Sequence, residues 1–388
     1  MKNDTCKFNE DIEIPEIVMQ KANEAFSLIK MEEANRVVFK EVKANKINKK
    51  KRWFQNHAVA AAAIGILTIG SVTAVAAINH IWSRGMQGTL QSTDEQQRTL
   101  AEHGMAEVMS AQEHYSDLAV TAGDVTVTPE TVVVDERFLY VSFSVSGYQM
   151  EKGKQPAFQY VNVYQGNSPE DSLNQFSSFY DGIIEDENGN HVYEDGSALE
   201  EDAQGSWIGH YADEKGNLEY VITTFVTDEK DSLLGKTIHV DFTNLGTYEI
   251  ASVVPDIAGN WNFKIDLPAV SSAEIIQINK KVDGTDLMLE NMELSPVSVK
   301  LNYCVNGEAA AADDSNGLPE FPEFRGVVLA DGTRISLLSG GGMSGYTDEA
   351  KKEAFTLNSF DRVIDVEQVA ALLIMPEEGS EIAEIPIQ

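Results

Sequence analysis

Residues 139–145 read Leu-Tyr-Val-Ser-Phe-Ser-Val, a stretch in which every second side chain is apolar. Successive side chains of a β-strand point to opposite faces, so this alternation predicts a strand with one buried face. The same period of two recurs at 238–242, 261–267 and 297–303, with turn-forming residues between these stretches. Several such strands over residues 119–388 predict a mainly β protein with two β-sandwich-like domains.

The boundary between these two domains is predicted near residues 254–259, where Val-Pro-Asp-Ile-Ala-Gly breaks the alternation. The first β domain then covers 119–254 and the second covers 255–388. Residues 83–118, which precede them, are predicted to be helical, as a stalk or as a helix that caps the β domains. Ser92-Thr93-Asp94-Glu95 resembles the N-terminal cap of a helix, and Gly104 is typical of a helix end.

An uncharged run precedes the stalk: residues 58–78 read AVAAAAIGILTIGSVTAVAAI. A helix of about 20 apolar residues crosses the hydrocarbon core of a bilayer, so we predict a transmembrane helix with its flanks at 57–82. Basic residues on its N-terminal side place the N-terminus in the cytoplasm and the β domains outside the cell membrane, in single-pass topology. The residues predicted to set this anchor in membrane lipid are Lys49, Lys50, Lys51, Arg52, Trp53, Leu67 and Trp82. A buried Ala-rich helix and a signal peptide cleaved after Ala74-Val75-Ala76 are the alternatives.

Charge is divided sharply along the chain. Residues 1–56 carry 12 Lys/Arg and 9 Asp/Glu, a net charge of +3. The remainder carries 17 basic and 53 acidic residues, because the whole chain has 29 and 62, and its net charge is therefore −36. So acidic a surface repels phosphates, which excludes nucleic acid as a partner of the outer part.

Residues 1–56 form the predicted cytoplasmic amphipathic segment. Pro15 suits the first turn of a helix, and apolar side chains fall on one side of that helix. This stripe consists of Ile14, Ile17, Val18, Ala25, Leu28 and Ile29. So short a segment cannot bury a sizeable core, so the stripe predicts docking on a cytoplasmic protein. A helix lying on the membrane surface and a small helical pair packing on itself remain open as alternatives.

No motif in the chain predicts catalysis or a bound cofactor. Residues 340–345, Gly-Gly-Gly-Met-Ser-Gly, match G-x-G-x-x-G, but they lie in a β region without a βαβ unit, so we interpret them as a flexible glycine loop. Asp186-Glu-Asn-Gly-Asn190 resembles the start of a calcium loop, but Asn-Gly is a strong hairpin signal and favours a turn. Cys6 and Cys304 lie on opposite sides of the predicted membrane, which excludes a disulfide between them, and Cys304 is predicted to be a small buried residue. We therefore expect no enzyme activity, no cofactor and no metal.

A resemblance to a known family rests on segments spread over nearly the whole chain. They are Ile14-Pro-Glu-Ile17, the Lys/Arg cluster with the uncharged run, Thr128–Asp135 with Phe138–Val145, Gly259–Pro268, Glu293–Lys300 and Asp361–Val369. In these segments the chain resembles the anti-sigma-factor-like single-pass membrane proteins of Gram-positive bacteria that carry domain of unknown function 4179. The chain lacks the H-x-x-x-C-x-x-C zinc motif of the better-known anti-sigma domain.

The resemblance implies a membrane-anchored regulator of transcription by signal transduction. Its cytoplasmic segment would hold an extracytoplasmic-function sigma factor, and its outer domains would sense an unknown extracytoplasmic ligand or protein. The alternative from a different class is a surface-anchored β-sandwich binding or structural protein without a cytoplasmic signalling role.

Overall fold

The computed structural model describes residues 64–68 and 82–387, apart from short gaps. The gaps are 110–114, 152, 167, 187–188, 204, 229–230, 250–251, 271, 286, 306–320, 337, 348–351 and 377–379. All described residues belong to one compact unit, Val59–Gln388. The other unit, Met1–Ala58, lies outside the described residues and contains the predicted partner-binding stripe together with Lys49 to Trp53.

Strands make up most of the described chain, which confirms the prediction of a mainly β protein. Two short helices precede most of them, α1 (Arg84–Thr89) and α2 (Asp94–Glu102). The strands are β1 (Ile64–Thr68), β2 (Ala106–Val108), β3 (Val120–Ala122), β4 (Val125–Val134), β5 (Phe138–Ser146), β6 (Pro156–Gln165), β7 (Asn174–Phe179), β8 (Ile183–Glu185), β9 (His191–Tyr193), β10 (Leu218–Phe225), β11 (Thr237–Glu249), β12 (Ser252–Asp266), β13 (Glu274–Lys281), β14 (Leu287–Leu294), β15 (Ser298–Val305), β16 (Glu323–Leu329), β17 (Arg334–Ile335), β18 (Ser339–Tyr346), β19 (Glu353–Phe360), β20 (Val369–Met375) and β21 (Ala383–Pro386).

The first sandwich packs two sheets face to face. Sheet one has the strand order β1-β12-β11-β6, and sheet two has the order β2-β4-β5-β10-β7 with β3 added beside β4. The alternating apolar residues of both sheets meet in one core. Phe143 of sheet two lies 5.0 Å, between ring centroids, from both Phe242 and Phe263 of sheet one. This core joins strands that are far apart in sequence, as sandwiches require.

The second sandwich is built the same way from the C-terminal third of the chain. Sheet three has the order β13-β14-β15-β19-β18, and sheet four has the order β17-β16-β20-β21. Their inner faces share a second core, in which the rings of Phe324 and Phe360 stack with centroids 5.9 Å apart. A separate hairpin of β8 and β9 lies outside the four main sheets.

The change from one sandwich to the other falls later than the sequence predicts. The expected boundary at 254/255 lies inside β12, which pairs with β11 from Ser252 to Asp266. The next strand of the second sandwich begins at Glu274. Pro255 and Gly259 are tolerated within β12 because its pairing with β11 shifts register between Thr243 and Gly246. A bulged strand, not a linker, therefore produces the break in alternation.

Residues 83–118 contain two short helices and strand β2, not one continuous helix. Helix α2 does begin with the predicted cap, since the Thr93 hydroxyl accepts from the amide of Gln96 and the Gln96 side chain accepts from the amide of Thr93. Gly104 follows the helix end with a φ of 75°, which glycine adopts without strain. However, α1 has only six residues, and both helices pack against the sandwiches instead of projecting from them.

Within the uncharged run 58–78 the structure describes only Ile64–Thr68, and these residues are extended, not helical. As β1 they pair in parallel with β12, with Ile64 opposite Asn262 and Thr68 opposite Asp266. The helices of the described ranges are all too short and too polar to cross a membrane.

The structure also describes the glycine-rich stretch 340–345, the turn at Asp186 and Cys304. The glycine-rich stretch is not a loop but β18, an edge strand paired with β19. A Cβ on Gly342 would lie 2.1 Å from the carbonyl oxygen of Leu357, so close backbone approach explains this glycine. Asp186 does form a turn, in which its carboxylate accepts from the amide of Asn190 at 2.8 Å. Cys304 is free but only partly buried, on β15.

Candidate functional site at the junction of the two sandwiches

The start of α1 is fixed by a buried acid on sheet two. Glu219 of β10 is 9% exposed and accepts from the amides of Gly85 at 2.7 Å and Met86 at 3.3 Å. These amides belong to the first turn of the helix and have no partner within it. Burial raises the pKa of Glu219 above its usual range, and the hydrogen bonds from Ser83 and the two amides oppose that shift. A Cβ on Gly85 would lie 2.8 Å from the Glu219 carboxyl carbon, so the contact needs glycine there.

Arg84 of the same helix bonds to the segment between β7 and β10, which contains the hairpin of β8 and β9. Its guanidinium makes two bonds to the Glu194 carboxylate, at 2.8 and 2.9 Å, and donates to the carbonyls of His210 and Tyr211. It also lies 4.9 Å from the centre of the Tyr180 ring. The Nε–H is shared between the two carboxylate oxygens, and the other two nitrogens each donate to one carbonyl, so all three nitrogens fix the orientation of the guanidinium.

The loop between α1 and α2 attaches to the second sandwich. The Gln91 amide donates to the carbonyl of Asp361 at 2.7 Å, and the Val363 amide donates to the carbonyl of Gln91 at 2.8 Å. The Gln96 side chain adds a bond to the carbonyl of Val363 at 2.9 Å. Residues 84–102 are therefore bonded to both sandwiches through backbone and side-chain groups.

An apolar cluster fills the space among the helices, sheet two and sheet three. We call this cluster, together with its polar rim described below, the junction. Its buried members are Trp82, Met86, Leu90, Leu100, Met105, Ala106, Val133, Phe138, Tyr140, Phe225, Val297, Phe355, Leu357 and Val363. The Tyr140 hydroxyl donates to the carbonyl of Val297 at 2.8 Å and accepts from the amide of Phe360. One hydrophobic cluster thus joins elements that the sequence assigns to four separate regions.

Two equivalent turns meet at the rim of the junction. In the β4–β5 turn, the Asp135 carboxylate accepts from the amides of Arg137 and Phe138. In the β14–β15 turn, the Ser295 hydroxyl accepts from the amides of Val297 and Ser298 in the same way. Each turn is also closed by a backbone bond of 3.0 Å, from Asp135 to Phe138 and from Ser295 to Ser298. One side chain caps each hairpin turn, and the two caps face one another.

The two turns are joined directly by hydrogen bonds. The second oxygen of the Asp135 carboxylate accepts from the hydroxyls of Ser295 and Ser298. Burial raises the pKa of Asp135, and the hydrogen bonds from the serines and from the Phe138 and Arg137 amides oppose that shift. The carboxyl group is a single buried acceptor shared by both sandwiches.

A charged pair lies beside these turns. Arg137 donates to both oxygens of Glu293 on β14, at 3.0 and 3.2 Å, and also to the carbonyls of Asp228 and Asp231. Lys300, opposite Glu293 on β15, is 1% exposed and lies 5.8 Å from the centre of the Phe355 ring. Removing one partner of such a buried pair is costly because the other charge stays desolvated.

The structure brings together few of the residues predicted to be functional. The stripe Ile14 to Ile29 and the anchor residues Lys49 to Trp53 lie outside the described residues, and Leu67 is described only as a backbone position in β1. Trp82, predicted as an aromatic anchor at the membrane surface, is instead 4% exposed within the junction. Its ring is buried because α1 folds back onto sheet two.

Sequence reasoning missed Glu219, Arg84 and Asp135. Glu219 is the one charged residue of the strand Leu218–Phe225, and an acid in such a strand signals a buried partner. Among the described residues, no three His, Cys, Asp or Glu side chains are placed to hold a metal ion. The polar groups of the junction bond to one another and to backbone amides, which suits the junction to holding elements in place.

The fold and the junction define a β protein of two sandwiches, with helices α1 and α2 held between them. Residues 49–147 match the family model described as "Domain of unknown function (DUF4179)", which confirms the predicted resemblance to this domain type. The matched range includes the uncharged run, both helices and the hairpin that carries Asp135 and Arg137. It therefore contains nine of the fourteen buried members of the junction.

Two further comparisons concern curated proteins and solved structures. No curated protein matches the chain. One solved structure, described as the crystal structure of the conserved domain protein from Bacillus anthracis, shares 15% identity with the chain and has a TM-score of 0.39. That match covers 70% of this chain and 87% of the other.

Proposed function

We propose that the protein is a membrane-anchored signalling regulator that holds an extracytoplasmic-function sigma factor through its N-terminal segment. The observation that carries the proposal is the position of α1 and α2. These helices directly follow the uncharged run 58–78, and the junction bonds them to both sandwiches. A change in how the sandwiches pack would therefore move the chain at the point where it leaves the membrane.

Physical continuity supports this coupling. Three residues separate the end of the run at 78 from Trp82, whose side chain is buried in the junction. Signal transfer between two sites requires an element whose position both sites influence. The α1–α2 segment meets that requirement on the outer side, and the basic cluster with the uncharged run supplies the membrane connection by charge pattern.

The partner on the inner side is proposed from the apolar stripe of residues 14–29. Replacing Ile17 and Val18 together by Asp removes two side chains whose burial gives roughly 1.5–3 kcal/mol each. We expect a loss of more than about 100-fold in affinity for the sigma factor, at about 1.4 kcal/mol per tenfold. The measurement is co-purification of the sigma factor with the full-length chain, together with transcript levels of its regulon.

Two controls lie on the opposite helix face, Glu16→Ala and Ser27→Ala, and both should retain the partner. If deletion of the whole gene leaves the transcriptome unchanged, the regulatory role is wrong. In that case a surface-anchored binding or structural protein, with no cytoplasmic role, becomes the better explanation.

A further inference from the structure

The face of sheet one that points away from the core carries two rows of side chains across three strands. Strand pairing places Tyr160 of β6 beside Thr243 of β11, and Thr243 beside Asn260 of β12. The next row contains Asn162, Asp241 and Asn262 in the same order. We call these six residues the outer polar face.

Each row is ordered by its own hydrogen bonds. The Thr243 hydroxyl donates to the Asn260 side chain at 3.2 Å, and the Asn262 amide group donates to Asp241 at 2.6 Å. The loop after β6 holds Asn162, whose amide group donates to the carbonyl of Pro169 at 3.1 Å. Side chains fixed in this way lose little conformational entropy when they bind a ligand.

Tyr160 gives the outer polar face an apolar platform. Its side chain is 66% exposed, although an aromatic ring of this size usually gains free energy by burial. The neighbouring groups are an alcohol, amides and one carboxylate, which offer both donors and acceptors. A flat ring beside fixed polar groups matches a ligand that is apolar on one face and carries hydroxyls at its edges.

Charge narrows the class of ligand. Asp241 is the one charged side chain of the six, and the nearest other charges on β12, Lys264 and Asp266, lie 4.0 Å apart and offset each other. The face is thus close to neutral on a chain whose formal net charge is −33. The part of the chain that carries this face, residues 57–388, has a net charge of −36 and repels polyanions, whereas a neutral polymer meets no such penalty.

We propose that the outer polar face binds a neutral polysaccharide. The apolar face of a sugar ring packs on Tyr160, and its hydroxyls donate to Asp241 and exchange hydrogen bonds with Asn260 and Asn262. This inference goes beyond the proposed function, because binding by the purified chain does not depend on any cytoplasmic partner.

The test is calorimetric titration of the full-length chain in detergent. The ligands are two neutral hexasaccharides, one of β-1,4-linked N-acetylglucosamine and one of β-1,4-linked glucose. We expect at least one to bind, and Tyr160→Ala to weaken that binding by about tenfold, as loss of one stacked ring would. Tyr160→Phe should keep most of the affinity, and Asp241→Asn should lose a similar amount through the missing charged acceptor. Circular dichroism and the melting temperature check that each variant folds.

Trp207→Ala is the matched control, since Trp207 is a large aromatic residue 51% exposed in the segment between β9 and β10. It should leave the affinity unchanged. The proposal is overturned if neither hexasaccharide binds, if Trp207→Ala weakens binding as much as Tyr160→Ala, or if an oligogalacturonate of equal length binds as tightly. The proposal is also overturned if no sugar binds and a cell-wall protein crosslinks to the chain at position 160. In that case the outer polar face is a protein-docking surface.

Discussion

At the scale of single residues, Asp135 shows how a buried carboxyl group connects two domains. It caps its own turn and accepts from two serines of the other sandwich. Because burial raises its pKa, the ionised form is less stable in the folded protein than in the unfolded chain. The bonds that hold the turns together therefore carry an electrostatic cost at neutral pH.

This cost predicts a pH dependence of stability. The folded state binds its proton on Asp135 more tightly than the unfolded state does, so the contribution of this group to stability falls as pH rises from the ordinary carboxyl range through the raised pKa. We expect the free energy of unfolding of the wild type, relative to Asp135→Asn, to increase as pH is lowered from 7 towards 4. Urea unfolding of both proteins at several pH values measures this difference, in which the other acids cancel. A difference that stays constant with pH, or that decreases on acidification, would contradict the assignment.

At the scale of elements, α1 depends on close contacts more than on helix propensity. A six-residue helix is not stable by itself, so packing and the Glu219 contacts must hold it. Gly88 allows the ring of Tyr180 to approach, because a Cβ there would lie 2.2 Å from the ring. Glycine at this point serves packing between α1 and Tyr180.

Gly88→Ala should consequently destabilise the fold by about 1–3 kcal/mol, the usual cost of overpacking, despite the higher helix propensity of alanine. Chemical denaturation of the full chain measures this change. Gly345→Ala is the matched control, because a Cβ on Gly345 meets its nearest atom, in the Phe355 ring, at 3.4 Å, an ordinary contact. Equal effects of the two substitutions would show that Tyr180 does not pack as closely as described.

The run 58–78 is an element with two competing placements. Five of its residues pair with β12, whereas the proposed anchor needs them in a helix of about 20 residues across the bilayer, and the two placements exclude each other. Leu67→Arg should cost about 2.5–3.5 kcal/mol at the centre of a membrane helix. We expect this variant to appear partly in the soluble fraction after cell lysis and centrifugation. The control is Thr68→Ser, which lies in the same run and adds no charge. This variant should stay in the membrane fraction. Complete retention of Leu67→Arg would count against a helical anchor at this position.

At the scale of the whole molecule, the junction makes the two sandwiches interdependent. Their separate cores meet through a third apolar cluster and through the pairs Asp135 with Ser295 and Arg137 with Glu293. Contacts of this extent predict that both sandwiches unfold together, as a cooperative unit.

Differential scanning calorimetry of the full chain should therefore show one transition that includes both sandwiches. Leu357→Asp places an unpaired charge in the junction and should split this transition into two, because Leu357 is fully buried there and contributes to neither sandwich core. Ile275→Asp is a control on the same sheet, since Ile275 is 69% exposed, and it should leave the single transition in place. Two transitions in the wild type would mean that the junction does not couple the sandwiches.

The sequence alone determined that the alternating stretches 139–145, 238–242, 261–267 and 297–303 are strands with an apolar core-facing side, because alternation is a local property. It did not reveal that Tyr140 and Lys300, on the opposite faces of β5 and β15, are buried as well. It also determined the turns at Asp186 and the cap of α2, which depend on side chains bonding to amides a few residues away. The resemblance to domain 4179 likewise followed from segments that can be read without the fold. Only the tertiary structure decided that Ser252–Asp266 is one continuous strand, that the helices lie between the sandwiches, and that Trp82 is buried. These features depend on pairs such as Gly85 with Glu219 and Asp135 with Ser295, whose members are more than 130 residues apart and which no local pattern reveals.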